Sequence, residues 1–306
     1  MSNDILVSRN ALKSMISLGR ARAAMSRTRV RDIVRSRLRL DEIEALAWLD
    51  GEVIDAPALE RKYGSASRGI EQWFLPFVQM FGRTDELTGA WSADGILDWL
   101  RIRRIYSPED ERYFRMDAIE SVQPQVERWL DACGETGADL EYLRAMEATR
   151  LWVQAAPLAR GNRSVGAMLA DVRVFGPAMS HGGVLAIGMR QADMPLALWA
   201  RSARDPQQMW WKSIDHAARH VEETERRVSG YLSRVDFLLT GKRNAERLHA
   251  VCRLALLENW VTAQLVERQL VVAQSVSQRL VLQAVSLGLL REMTGNGRFR
   301  GYRATM

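Results

Sequence analysis

Apolar residues recur at helical spacing along almost the whole chain, and this periodicity is the strongest constraint on its fold. The alternation of apolar and polar residues that is typical of a half-buried strand does not occur before the C-terminal end. A chain of 306 residues is long enough for about two domains. The sequence therefore predicts an all-α protein: a helical body followed by a smaller helical unit with a small β-hairpin.

Composition restricts the class of protein further. The chain has only eight prolines and no Gly/Ser-rich tract, so we expect it to be compact. It lacks an apolar run of membrane-spanning length and a secretion signal, so we expect a cytoplasmic protein with no membrane partner.

Cys133 and Cys252 lack the spacing of a zinc site and are expected to be buried. His216 and His220 share a helix face, but that face is expected to be solvated, and we predict no metal or cofactor.

Positive charge is concentrated in the first forty residues. The formal charge is +6, and residues 1–40 hold ten basic side chains against two acidic ones. A basic chain favours a polyanionic partner. Two interpretations of this arm stay open. It contacts nucleic-acid phosphates, or it is a solvated amphipathic helix whose partial apolar stripe comprises Ile5, Leu12, Met15, Ile16, Met25, Val30, Ile33, Val34 and Leu38.

The C-terminal tail, residues 246–306, has the pattern of a winged helix-turn-helix. A first helix is predicted over 249–259, and Thr262 is placed to cap a second helix that ends near Leu270. A tight turn at Val271 and Val272 leads into a third helix over 273–287. We predict that Val276, Leu280, Ala284 and Leu287 form the packed face of this third helix, which leaves its polar face open.

The polar face of the third helix predicts contact with double-stranded DNA. Glutamine and arginine pair bidentately with adenine and guanine, and the recognition helix presents such residues at its N-terminal end. The residues predicted to contact bases are Gln274, Ser275, Ser277, Gln278 and Arg279. Asn296 and Gly297 form a hairpin-turn signal for the wing. The residues predicted to contact the DNA backbone are Thr262, Arg298, Arg300 and Arg303. The alternative is that this tail contacts another protein.

One segment of the body resembles the active-site motif of the Fic family, HPFx[D/E]GNGRxxR. The segment is Ala156-Pro157-Leu158-Ala159-Arg160-Gly161-Asn162-Arg163-Ser164-Val165-Gly166-Ala167, in which Pro157, Gly161 and Asn162 match the motif. The resemblance implies that Ala156 stands at the catalytic histidine, Arg160 at the magnesium-binding acid and Arg163 at a glycine. Alanine cannot accept a proton and arginine repels a divalent cation, so the implied domain is catalytically inactive.

The order of the segments along the chain extends this resemblance over residues 41–306. The segment 44–54 is similar to the region that carries an inhibitory S/TxxxEG helix in Fic proteins, with Leu46 and Asp50 in place of its Ser/Thr and Glu. Many Fic proteins carry a C-terminal winged helix, and the arrangement also resembles a group of rhizobial plasmid proteins. We therefore predict a basic arm (1–40), a degenerate Fic-like domain (41–245) and a winged helix-turn-helix (246–306).

The predicted function is sequence-specific binding of double-stranded DNA in transcriptional regulation, by a protein that is not an enzyme. A homodimer is expected, because helix-turn-helix proteins usually read two half-sites. A small molecule or a protein is the candidate effector of the body. The alternative function is nucleotide transfer to protein by a rearranged Fic site.

Overall fold

The computed structural model describes residues 2–54, 84–87, 91–100, 119–134, 141–158, 161–196, 206–293 and 300–306. These residues contain eleven α-helices, one 3-10 turn at Thr84–Leu87 and one two-stranded antiparallel sheet. The predicted fold class, all-α with a small hairpin near the C-terminus, is confirmed. In this part of the chain, no helix has both the length and the apolar character that crossing a membrane requires.

The helices are numbered in chain order. They are α1 (Ser2–Arg27), α2 (Arg31–Leu49), α3 (Ala93–Trp99), α4 (Ile119–Gly134), α5 (Glu141–Ala155), α6 (Asn162–Val174), α7 (Val184–Gln191), α8 (Pro206–Leu239), α9 (Ala245–Leu257), α10 (Ala263–Leu270) and α11 (Gln274–Ser286). The strands are β1 (Leu290–Glu292) and β2 (Tyr302–Ala304).

Two of these helices are longer than the sequence pattern predicts. The sequence predicts a helix that begins at residue 41, yet α2 begins at Arg31. It also predicts a helix pair between residues 209 and 239, yet α8 is one helix of 34 residues. Gly230 does not break α8, because one glycine in a helix costs only about 1 kcal/mol relative to alanine and buried side chains on both sides of it hold the helix in place.

The described residues form two compact units. The first contains residues 2–25 and 41–54 and the described residues from 84 to 221, and the second contains residues 26–40 and the described residues from 222 to 306. Among the described residues, the chain passes from one unit to the other after residues 25, 40 and 221, so the units share the predicted boundary at 40 but not the one at 245. The division into 1–40, 41–245 and 246–306 stays a prediction.

The core of the first unit is built around α6. Nearly every residue of this helix is buried, because it packs against both α5 and α7. Gly166 permits the close approach to α5, since a Cβ atom there would lie 3.3 Å from the Trp152 ring. Trp129 of α4 packs against α5. Its ring nitrogen donates to the Ala148 carbonyl at 2.9 Å, and its ring meets the Trp152 ring edge-on.

Helix α1 is a structural part of the first unit. Its buried positions include Ser14 and Ser17, which bond to α8 through the Trp211 carbonyl and the Asp215 carboxylate, both at 2.6 Å. In contrast, Leu12, Met15 and Ile16, which were predicted to belong to its apolar stripe, are all exposed. The prediction of that stripe was wrong for these three positions, because two buried serine hydroxyls make hydrogen bonds that a hydrophobic pattern does not register.

A buried acidic pair lies between α2 and α6. Asp171 and Glu42 are both almost fully buried. Asp171 accepts the Leu185 backbone N–H at 2.6 Å, and Glu42 accepts the backbone N–H of His181. Burial, and secondarily the negative charge of Glu42, raise the pKa of Asp171 from 3.8 to about 8. Asp171 therefore carries a proton at neutral pH in the folded protein.

We expect Asp171→Asn to change how stability depends on pH. Between pH 3.8 and about 8, the folded state holds a proton on Asp171 that the unfolded state releases. Wild-type stability from this group is thus complete below pH 3.8 and is lost as pH rises through that window. The asparagine variant keeps a neutral group, so its free energy of unfolding should rise relative to wild type over the same window. Urea unfolding at a series of pH values measures the difference.

Glu42→Gln is the companion variant. It removes the charge that helps to raise the pKa of Asp171, so the loss of stability should still begin near pH 3.8 but should end at a lower pH, and be smaller, than in wild type. Parallel pH profiles of wild type and Asp171→Asn would contradict the assignment.

Candidate nucleic-acid interface

The candidate interface begins with three consecutive helices of the second unit, α9, α10 and α11. Thr262 has extended backbone angles, and its hydroxyl accepts the Leu265 N–H at 3.1 Å, so it caps α10 as the sequence predicts. Helix α10 ends at Val271, which has a φ of 51° in the left-handed region. This turn is costly for a β-branched residue, and it allows α11 to start three residues later.

A shared apolar core holds the three helices together. Leu248, Val251 and Cys252 are buried on α9, and Leu265 and Val266 are buried on α10. Helix α11 contributes Leu280, Val281 and Ala284. The sheet adds Leu290 and Tyr302 to this core, while Tyr231 of α8 donates to the Leu289 carbonyl at 2.9 Å.

The outer face of α11 carries most of the residues predicted to contact bases. Gln274, Ser275, Gln278 and Arg279 are exposed. Ser277, which was predicted with them, is fully buried, and its hydroxyl donates to the Gln274 carbonyl at 2.8 Å. The prediction for Ser277 was therefore wrong.

The reason for this error is the position of the packed face of α11. Buried residues fall at 277, 280, 281 and 284, which is the helical spacing of one face. The sequence instead suggested a face that included Val276 and Leu287, and both of these are only half-buried. The small Ser277 side chain takes the inward position because its hydroxyl can bond to its own helix.

The wing is partly described. Strands β1 and β2 are antiparallel, with Leu290 opposite Ala304 and Glu292 opposite Tyr302. Arg300 is half-exposed, and its Nε lies 3.7 Å from Glu292. Arg303 is half-buried, and its Nε donates to the Asn259 carbonyl at 3.3 Å. Arg298 and the predicted turn at Asn296 and Gly297 lie outside the described residues.

A groove runs between α10, α11 and the start of β2. Its volume is about 610 Å³, and its lining includes Thr262, Glu267, Gln274, Gln278, Arg300 and Tyr302. The structure thus brings together one predicted helix cap, two predicted base-contacting glutamines and one predicted wing arginine. Sequence reasoning missed Gln264 and Glu267, which also line the groove. Both residues lie on α10, two and five residues after the predicted cap Thr262, and this position was the sequence signal that could have identified them.

The charge around this groove is positive but mixed. Residues 246–306 contain eight arginines and four glutamates. The groove itself presents three glutamine amides, one arginine and one carboxylate. Amides both donate and accept hydrogen bonds, so this surface can match a base edge as well as a phosphate.

The segment that resembles the Fic motif lies in the first unit, and hydrogen bonds within the segment fix the loop before α6. Asn162 folds back on the preceding loop: its Oδ1 accepts the Leu158 N–H at 2.9 Å, and its Nδ2 donates to the Leu158 carbonyl at 2.6 Å. Gly161 has a φ of 77° just before α6, a conformation that favours glycine. Ala156 is exposed and Pro157 is buried, whereas Arg160 lies outside the described residues.

The first turn of α6 bonds to the end of α2. Ser164 donates to the Leu46 carbonyl at 2.7 Å and also bonds to the Asp50 carboxylate. Arg163 donates to the Leu49 carbonyl at 3.2 Å. Burial raises the pKa of Asp50 above its usual value, although the Ser164 hydrogen bond opposes the shift. These contacts join two segments that both carry the resemblance.

The other candidate groups make ordinary structural contacts. His220 pairs with Asp41 at 2.8 Å, and no group of three potential metal ligands occurs among the described residues. Cys252 is buried as expected, while Cys133 is only half-buried. Burial raises the pKa of Cys252 to about 11 and that of Cys133 to about 12, so both thiols stay protonated at neutral pH.

Comparison with known proteins adds no family to this description. No protein-family model matches the chain, and no curated protein matches it either. The resemblance to the Fic family therefore stays a prediction, and function is argued from the chain's own residues.

We expect Gly301→Ala to loosen the wing. A Cβ atom at residue 301 would lie 2.0 Å from the Trp260 ring, so Trp260 would have to move. Val261 and Tyr302 exchange two backbone hydrogen bonds of 2.8 Å beside this ring, and these bonds should weaken. Overpacking of this kind costs about 1–3 kcal/mol. Thermal unfolding, together with faster amide hydrogen exchange at residues 261 and 302, measures the effect.

Gly230→Ala is the matched control. It lies in α8 within the same unit, and a Cβ atom there would meet nothing within 4 Å. This variant should be neutral or more stable by up to about 1 kcal/mol. Wild-type exchange rates in Gly301→Ala would contradict the tight packing of Trp260.

Proposed function

We propose that this protein binds double-stranded DNA in a sequence-specific manner and regulates transcription. The observation that carries the proposal is the outer face of α11, where Gln274, Gln278 and Arg279 are exposed on a helix whose other face is fixed in a core. The helix follows a capped α10 and a tight turn, which is the order of elements in a helix-turn-helix.

The proposed base contacts are made by Gln274, Ser275, Gln278 and Arg279. A glutamine can pair bidentately with adenine and an arginine with guanine, and each such pair contributes about 1–3 kcal/mol of discrimination. Position along the helix supports these roles, because all four residues lie in the N-terminal half of α11. The N-terminal half is the part of a recognition helix that reaches base edges.

The proposed backbone contacts are Thr262 at the start of α10 and Arg300 on the wing, with Arg298 as an expected addition. Thr262 lies where the free backbone N–H groups of a helix N-terminus attract anions. The Nε of Arg300 faces Glu292 at 3.7 Å, which limits its motion without neutralising it fully. The proposed assembly is a homodimer that binds half-sites about one helical turn apart.

We infer that the segment resembling the Fic motif is structural and that the protein is not an enzyme. Gly161 and Asn162 shape the loop before α6, and Ser164 bonds to α2. Ala156 offers no base to accept a proton. A small molecule or protein that binds this unit is the proposed effector.

Gln278→Ala/Arg279→Ala should abolish selective binding and leave the fold intact, because both side chains are exposed. Each substitution should remove about 1–3 kcal/mol of discrimination between a selected and an unrelated duplex. The selected duplex is first recovered from fragments of the source genome that the wild-type protein retains. Mobility-shift titrations with both duplexes then give the two affinities.

Arg268→Ala/Gln269→Ala is the matched control, since it removes the same two residue types from exposed positions of α10. This variant should keep the wild-type ratio of affinities. Wild-type discrimination in Gln278→Ala/Arg279→Ala would reject the assignment of α11. Failure of the wild-type protein to retain any fragment at low salt would reject DNA binding and favour protein contact.

Incubation with labelled ATP and magnesium should leave the protein and added lysate proteins unlabelled. The expected result follows from the alanine at position 156, which cannot activate a hydroxyl group. Label that survives denaturation would instead support nucleotide transfer.

A further inference from the structure

The basic residues of the first forty positions are divided between the two compact units. Those up to residue 25 belong to the first unit, and those from residue 26 belong to the second unit, which also contains α9, α10 and α11. The six arginines in the second unit are Arg27, Arg29, Arg31, Arg35, Arg37 and Arg39. We call residues 26–40 the basic segment.

Two basic side chains of the first group serve the structure of their own unit. Lys13 pairs with the buried Asp215 at 3.3 Å. Arg22 donates to the Val174 carbonyl at 2.7 Å and to the Tyr142 hydroxyl at 3.2 Å. The interpretation of α1 as a DNA-contacting arm is therefore weaker than its charge suggests.

The basic segment is fixed to the connection between α9 and α10. Ser36 donates to the Leu257 carbonyl, and Arg37 donates to the Asn259 side-chain oxygen. Asn259 is buried with a φ of 62°, and its carbonyl accepts the Arg303 guanidinium from β2. Thr262 follows three residues later. One asparagine thus joins the basic segment, the start of α10 and the wing strand.

The start of the basic segment is exposed and strongly positive. Arg27, Arg29 and Arg31 are all exposed, and they lie within five residues around the turn between α1 and α2. Arg31 is the first residue of α2, where the helix dipole disfavours a cation. This stretch carries three positive charges against the one carboxylate of Asp32, so its net charge attracts an anion. Arg31 also donates to the Ser26 carbonyl at 3.4 Å across this turn, which leaves its guanidinium group exposed.

We propose that the basic segment is a second DNA-contacting surface, which binds backbone phosphates outside the base pairs read by α11. The inference rests on the proposed function, because the partner is the same DNA duplex. Arg29 and Arg31 are assigned to phosphate, and Arg37 positions the segment through Asn259. Phosphate contacts add affinity without sequence preference and release counterions.

The test is the salt dependence of binding by the full-length protein to a mixed-sequence DNA duplex a few helical turns long. Each phosphate contact contributes about 0.9 to the slope of log affinity against log salt concentration. Arg29→Gln/Arg31→Gln should therefore lower the magnitude of this slope by about 2. The ratio of affinities for the selected and mixed-sequence duplexes should stay at the wild-type value, because neither residue reads bases.

Arg9→Gln/Arg20→Gln is the matched control, since it removes the same charge from exposed positions of α1 in the first unit. This variant should keep the wild-type slope. An equal fall in both double variants would overturn the inference in favour of general electrostatic attraction. A wild-type slope in Arg29→Gln/Arg31→Gln, with selective binding intact, would overturn this inference alone. No binding by the wild-type protein would overturn the proposed function itself.

Discussion

Four side chains of α11 turn inward against α9, α10 and the sheet: Ser277, Leu280, Val281 and Ala284. Their spacing defines one face of the helix, so the direction of every other side chain is set by this packing. A rotation of α11 by one residue would bury Gln278 and expose Leu280. Burying that amide without partners costs about 1–3 kcal/mol, in addition to the lost apolar contact. The core that folds this unit therefore also keeps Gln278 and Arg279 on the exposed face of α11.

Asn259 links two further segments to the connection between α9 and α10. Its left-handed backbone turns the chain between α9 and α10, while its carbonyl and side chain accept two guanidinium groups from distant parts of the sequence. Arginine side chains lose considerable conformational entropy when they bind. Two arginines that are already held in place would lose less, which favours the proposed binding of an anionic partner.

Local signals in the sequence predicted most of the arrangement of α9, α10 and α11. The Thr262 cap and the turn at Val271 depend on adjacent residues, and both were found where expected. The burial of Ser277 was not predicted, because residue type suggested a polar contact whereas position on the helix decided the outcome. The grouping of residues 26–40 with the C-terminal helices could not be predicted either, since it depends on hydrogen bonds that span about 220 residues of sequence. The contacts of Ser164 with α2 are nonlocal in the same way.

The mixed charge of the groove bears on specificity. A wholly cationic groove would attract phosphate anywhere on a duplex, whereas Glu267 repels phosphate from the space beside Gln274 and Gln278. In the proposed complex, base edges therefore meet the amides, and phosphates meet Arg300 and, on the basic segment, Arg29 and Arg31. Glutamate can also accept a hydrogen bond from the cytosine amino group, so Glu267 is suited to a direct role in reading sequence. In that complex, the arginines would provide affinity and the amides discrimination.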